Sequence, residues 1–171
     1  MNKDTVIKHY GHTLEWVQSL TEVTEEEWHS AITDGKWSIA EIIAHFVPWD
    51  EFILHDRLKE FWNNKALPQA PDVHEMNQQS AERARKEERS ETIGRFIAVR
   101  TELLQEMKKI EASRWTTPFL IGQTELTLSS YFQGLIKQIF IIWSRSNKRS
   151  LQKDDSASRC FFLKWKRRII K

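Results

Sequence analysis

One stretch, residues 37–53, constrains the fold more than any other, because a strong helix start precedes a long apolar stripe. Ser38 is a good N-cap, and Glu41 can reach back to the cap amide and complete a capping box. The apolar side chains recur at the spacing of one helix face. They are Ile39, Ile42, Ile43, Phe46, Trp49, Phe52 and Ile53. The pattern predicts an amphipathic helix from Ser38 to about Asn64, with His45 among its apolar positions.

A proline interrupts this helix without ending its apolar stripe. The ring of Pro48 opposes the carbonyl of Ala44 and should kink the helix. Because the freed carbonyl is next to His45 in sequence, the kink either opens a pocket there or is simply tolerated within a long helix. Both alternatives remain open from the sequence.

The rest of the chain up to residue 143 predicts three more long helices. The first runs from about Lys3 to Leu20, and a Thr24–Glu27 capping box then opens a short helix carrying Trp28. A proline-containing crossover spans residues 66–72 and leads into a third helical region with an apolar stripe over residues 93–110. A connecting segment covers 113–127, and the fourth helix begins near residue 127 or 129.

Composition supports one helical domain. The 171 residues are 40% hydrophobic and include only five Gly and four Pro, too few turn formers for a β-sandwich. We expect residues 1–143 to form an all-α four-helix bundle with one long crossover connection. An irregular basic tail over residues 144–171 should follow it. The single Cys, the polar N-terminus and the lack of a long apolar run favour a cytoplasmic protein with no membrane span.

Charge is divided unevenly along the chain. Residues 144–171 contain ten Lys or Arg and only two Asp, whereas the preceding 143 residues contain 16 of the 26 basic and 22 of the 24 acidic residues. The polar segment 78–89 has balanced charges, which argues against nucleic-acid binding there. The basic tail could be a membrane or RNA anchor, or it could be an out-of-frame translation.

Two stretches carry a resemblance to a known family. Residues 36–50 follow the pattern Lys-Trp-Ser-x-x-Glu-x-x-x-His-x-x-x-Trp-Asp, and residues 122–137 read like the approach to a final helix. Together they resemble the DinB-like (DinB/YfiT) superfamily of four-helix bundles, over roughly residues 1–137. The resemblance implies a divalent metal (zinc, nickel or manganese) bound by one His on the second helix and a His-x-x-x-His pair on the last.

The expected ligand set is incomplete in this chain. The resemblance makes His45 the first metal ligand and places the other two at positions 138 and 142, which hold Gln138 and Ile142. No histidine follows His74. Since a catalytic zinc site usually has three protein ligands, we expect tight metal binding to be lost.

A frameshift after Lys137 would account for the loss. Residues 138–148 can be back-translated so that one inserted nucleotide yields His-Asp-Ile-Tyr-His-Leu-Glu-Gln-Ile-Lys and a stop codon. That single change restores both ligands and the family's ending. The basic charge begins close behind the lost ligands, which favours this hypothesis over a functional anchor.

Two functions follow from the resemblance. The first is a metal-dependent hydrolase or thiol S-transferase, in which a metal lowers the pKa of bound water or thiol and so activates it against a small-molecule electrophile. In this chain, catalysis is expected to be absent or reduced. The alternative is a metal-free binding or protective stress-response bundle, with Trp37, Trp49 and Tyr131 lining a cavity. A homodimer is expected by resemblance.

Other histidines carry no predicted site. His9 and His12 are predicted to be surface or rim residues, and His55 to be exposed. The Glu26–His29 spacing matches half of a di-iron motif, but no second copy exists in the sequence, so the match is attributed to chance.

Overall fold

The computed structural model of the protein describes residues 2–32, 34–61 and 67–136. Gln138, Ile142 and the basic tail lie outside the described residues, and so does the predicted end of the second long helix near Asn64.

Six α-helices account for most of the described chain. They are α1 (Lys3–Ser19), α2 (Glu25–His29), α3 (Ile39–Phe52), α4 (Val73–Ala84), α5 (Arg89–Lys109) and α6, which is helical over residues 128–136. Short 3₁₀ turns at Leu20–Glu22 and Ala112–Thr116 follow α1 and α5. Two antiparallel strands, β1 (Phe119–Ile121) and β2 (Thr124–Leu126), precede α6.

Helices α2 and α3 each begin at a capping box, in which side chains bind the free amides of the first turn. The Ser38 amide donates to Glu41 Oε2 at 2.7 Å, and the Glu41 amide donates to Ser38 Oγ at 3.2 Å. The same reciprocal pair forms between Thr24 and Glu27 at the start of α2. Both predicted capping boxes are therefore confirmed, and each satisfies amides that a helix N-terminus leaves without partners.

The long helices pack around one core. Helix α3 packs on both α4 and α5, and α1 packs on α5. Helix α6 closes the bundle through Phe132, whose ring contacts Tyr10 of α1 and Trp115 of the 3₁₀ turn. The predicted four-helix bundle is confirmed by this arrangement. None of the described helices is long and apolar enough to cross a membrane.

The end of the second long helix differs from the prediction of a continuous α-helix. Helix α3 ends at Phe52 and continues as a π-turn over Ile53–Arg57, in which the Leu58 amide donates to the Ile53 carbonyl at 2.8 Å. A π-turn widens the helix by one residue per turn. It changes which side chains after Phe52 point into the core.

The connecting segment also contains structure that the all-α prediction omitted. Phe119 pairs with Leu126 and Ile121 with Thr124 in a two-stranded hairpin. The hairpin turn begins at Gly122, whose φ of 60° lies in the left-handed region that favours glycine. The hairpin leads directly into α6.

Candidate metal centre around His45

His45 lies inside the bundle and is 6% exposed. Its ring contacts Trp37 at 5.3 Å and Phe46 at 4.1 Å between ring centroids. Its Nδ1 lies 2.6 Å from the carbonyl oxygen of Ile42. Because a carbonyl can only accept, Nδ1 carries the proton, and Nε2 of the neutral ring keeps its lone pair. This is the tautomer that a histidine needs in order to bind a metal through Nε2.

The surroundings of His45 keep the imidazole neutral. Burial, against the opposing effect of the hydrogen bond to Ile42 and with a smaller contribution from the Arg100 guanidinium, lowers the pKa of His45 to about 4. A neutral imidazole is the form that binds metal ions. The His45 imidazole is therefore in the protonation state that coordination of a metal ion would require.

The described residues do not complete a ligand set. Across residues 2–32, 34–61 and 67–136, no three His, Cys, Asp or Glu side chains are grouped so that they could hold a metal ion. The two remaining expected positions carry Gln138 and Ile142, whose structure is not described. The described part of the chain thus supplies one candidate ligand of a metal centre and not three.

A buried ion pair lies near His45 that sequence analysis did not predict. Arg100 Nε of α5 donates to Asp50 Oδ2 of α3 at 2.5 Å, and the side chains are 1% and 4% exposed. The guanidinium also lies over the rings of Tyr10 and Phe96, at 4.4 and 4.9 Å from their centroids. This pair joins α3 to α5 in the middle of the core.

A second buried arginine fastens the far end of α3. Arg57, in the π-turn, donates from Nη1 to the Tyr131 hydroxyl at 3.0 Å and from Nη2 to the Pro68 carbonyl at 3.4 Å. Its guanidinium also lies 4.7 Å from the centroid of the Phe52 ring. One side chain therefore connects α3, the crossover segment and α6.

Pro48 lines a cleft, but His45 is not part of that lining. The cleft has a volume of about 470 Å³ and runs between α3 and α4, with Ala44, Val47 and Pro48 on its α3 side. A pocket opens beside the proline, but it lies on a different face of α3 from the buried imidazole. It is therefore not the pocket next to His45 that one of the two sequence alternatives proposed.

Two other histidines, His9 and His55, differ in their exposure to solvent. His55 is exposed, as predicted. His9 is 7% exposed, so the prediction that it is a surface or rim residue was wrong, because its position on α1 turns the ring toward the core. Burial lowers the pKa of His9, with smaller contributions from the neighbouring His12 and Lys8.

A family model decides the relationship of the chain. The model of the DinB superfamily matches residues 8–137. The chain belongs to the DinB superfamily. This DinB bundle is also similar in structure to YfiT from Bacillus subtilis, described as "a probable metal-dependent hydrolase with an unusual four-helix bundle topology". The TM-score is 0.69 at 10% identity, over 86% of this chain and 87% of YfiT. No curated protein sequence matches the chain.

Two buried groups of the DinB bundle should respond to pH in opposite directions. Burial raises the pKa of Asp50 to about 6, although Arg100 opposes the shift. The folded state then binds Asp50's proton more tightly than the unfolded state, so this group stabilises the fold at low pH and loses that effect as the pH rises through 6. His45 does the reverse, because its lowered pKa makes the fold lose stability as pH falls from 6.5 towards 4.

We expect single substitutions to separate the two effects in urea unfolding between pH 4 and 6.5. In His45→Gln the free energy of unfolding should rise as the pH falls, and in Asp50→Asn it should fall, each by up to about 3 kcal/mol. Tyr10, which lies near Asp50, stays protonated in this range because burial raises its pKa. The exposed His55→Gln serves as control and should follow the parent curve. Equal slopes in all four proteins would contradict the assignment.

Proposed function

We propose that this chain is a DinB-superfamily bundle that retains one metal ligand, His45, and has lost tight divalent-metal binding. The observation that carries the proposal is the state of His45. It is buried, neutral and fixed by Ile42 with Nε2 available, yet no three-ligand group exists among the described residues. Gln138 and Ile142 occupy the positions where the family resemblance places imidazoles.

We further propose that the loss arose from a frameshift after Lys137. The family model matches the chain up to residue 137, which is the position where back-translation places the missing nucleotide. The frame-restored protein would then be the metal-dependent form, acting as a hydrolase or thiol S-transferase. This chain itself would have little or none of that activity.

Restoring the ligands tests the first half of the proposal. We expect Gln138→His/Ile142→His to gain stoichiometric binding of Zn²⁺, Ni²⁺ or Mn²⁺, because two imidazoles at i and i+4 can lie on one helix face with His45 as third ligand. With metal at 100 times Kd, the stabilisation is about 2.7 kcal/mol, or roughly 5–10 °C in Tm for a chain of this size.

Two controls accompany this measurement. The parent chain should show no metal-dependent change in Tm, and adding His45→Gln to the double variant should remove the gain. Tight stoichiometric metal binding by the parent chain would overturn the proposal. So would a double variant whose metal binding does not depend on His45.

Sequencing the source DNA across codons 137 and 138 tests the second half. We expect one additional nucleotide there, followed by codons for a His-x-x-x-His pair and an early stop. An unchanged reading frame would refute the frameshift, and the lost ligands would then belong to a genuine protein with a basic tail.

For the metal-free alternative, the candidate site is the cleft at Pro48 and not the aromatic cavity that the sequence suggested. Trp37 contacts His45, the Trp49 indole donates to Asn77 Oδ1 at 2.9 Å, and Tyr131 binds Arg57. These three aromatic residues do not line the cleft at Pro48. If the bundle binds a small molecule without a metal, the cleft is the better-formed candidate.

A further inference from the structure

The cleft between α3 and α4 has a charge at each end. Two contacts show that the helices run antiparallel, because Arg85 Nε donates to Glu41 Oε1 at 2.9 Å and Trp49 pairs with Asn77. Glu51 therefore lies level with about residue 75 of α4, and Arg83 lies level with about residue 43 of α3. We call this cleft the α3–α4 groove.

One end of the α3–α4 groove is acidic. Glu51, Asp72 and Glu75 line it together. Asp72 Oδ1 accepts from the Glu75 amide at 2.8 Å, and Glu75 Oε1 accepts from Gln79 at 3.0 Å. No cation of the described ranges forms an ion pair with any of the three carboxylates. This end therefore has negative charge available for a ligand.

The opposite end of the groove is basic. Arg83 and Arg95 both line it, and both bind the single carboxylate of Glu87. Two guanidinium groups against one carboxylate leave a positive charge. The Arg83 and Arg95 side chains are 59% and 26% exposed, so both guanidinium groups are accessible to an anionic ligand group.

The floor between the two ends is less polar. Val47, Pro48 and Met76 line it. Because Pro48 has no amide hydrogen, the Ala44 carbonyl lacks its usual helical donor. The eight residues from Glu51 back to the level of Arg83 span about 12 Å along α3 at the rise of an α-helix. The volume of about 470 Å³ is within the usual range of small-molecule sites.

We infer that the α3–α4 groove binds a dipolar small molecule whose ammonium group and carboxylate are separated by about 10 Å. The ammonium group binds at Glu51, Asp72 and Glu75, and the carboxylate binds at Arg95 and Arg83. This site does not include His45 and needs no metal. It is thus independent of the metal-site proposal above and names a ligand class for the metal-free alternative, and its test does not depend on metal binding.

Triglycine is a suitable probe, because an extended tripeptide separates its charged ends by about 10 Å. N-acetyl-triglycine lacks the ammonium group, and triglycine amide lacks the carboxylate. We expect saturable binding of triglycine to the full chain in an NMR titration, with both blocked peptides at least about tenfold weaker. Shifted resonances should belong to residues that line the groove.

Two variants then assign the ends. Glu51→Gln should reduce the preference for triglycine over N-acetyl-triglycine and leave the preference over triglycine amide unchanged. Arg95→Gln should do the reverse, reducing only the preference over triglycine amide. Glu102→Gln changes the same charge type at an exposed position outside the groove and should bind like the parent. Absence of saturable triglycine binding, or loss of affinity without this pattern of preferences, would overturn the inference.

Discussion

Replacement of Arg100 by methionine is expected to lower the free energy of unfolding by about 3–5 kcal/mol. The substitution keeps most of the side-chain volume but leaves the Asp50 carboxylate buried without its partner. Asp50→Val should have a comparable cost, because it leaves the Arg100 guanidinium unpaired. Urea unfolding at pH 7 measures both.

The double variant Asp50→Val/Arg100→Met makes the prediction specific. With both charges removed, no buried ion remains to be desolvated, and the loss should be much smaller than the sum of the single losses. Arg100 Nη1 already has no hydrogen-bond partner among the described residues, so apolar packing sacrifices little hydrogen bonding there. Additive single effects, within about 0.5 kcal/mol, would show that the two side chains are not coupled.

Trp115→Ala should have the second large effect, again about 3–5 kcal/mol. Trp115 is 1% exposed and packs on Phe132 at 5.7 Å between ring centroids, so it holds the segment after α5 against α6. Truncation leaves a cavity at that junction. Thermal or urea unfolding measures the loss.

The matched control is Trp115→Phe. The indole Nε1 is buried without a hydrogen-bond partner among the described residues, so its removal breaks no described bond. Phenylalanine keeps the aromatic contact with Phe132 and should cost much less than alanine. If phenylalanine were as damaging as alanine, an unseen bond to the indole nitrogen would be responsible and the packing argument would be wrong.

Capping boxes and apolar stripes could be predicted because they depend on residues three or four positions apart. The starts of α2 and α3 and the core face of α5 are of this kind. The hairpin could not be predicted from the alternation of apolar and polar residues, because strands of three residues are too short to show that alternation. Gly122, directly after the apolar run at residues 119–121, was the available signal, since its positive φ makes the turn.

The buried ion pair had a sequence signal of a different sort. Arg100 interrupts the apolar stripe of α5 between Phe96 and Leu104, and a charge on such a stripe needs a buried partner. Its partner, Asp50, lies 50 residues away, so no local pattern joins the two. By contrast, the metal-ligand role of His45 came from family resemblance alone and stays a prediction.

The π-turn at Ile53–Arg57 has a consequence for evolutionary comparison. Such a turn corresponds to an α-helix that has accepted one extra residue, and each residue rotates the following side chains by about 100°. Arg57 reaches Tyr131 and Pro68 from this shifted position. A relative whose helix lacks the extra residue would carry the equivalent arginine one place earlier in its chain, in an uninterrupted α-helix.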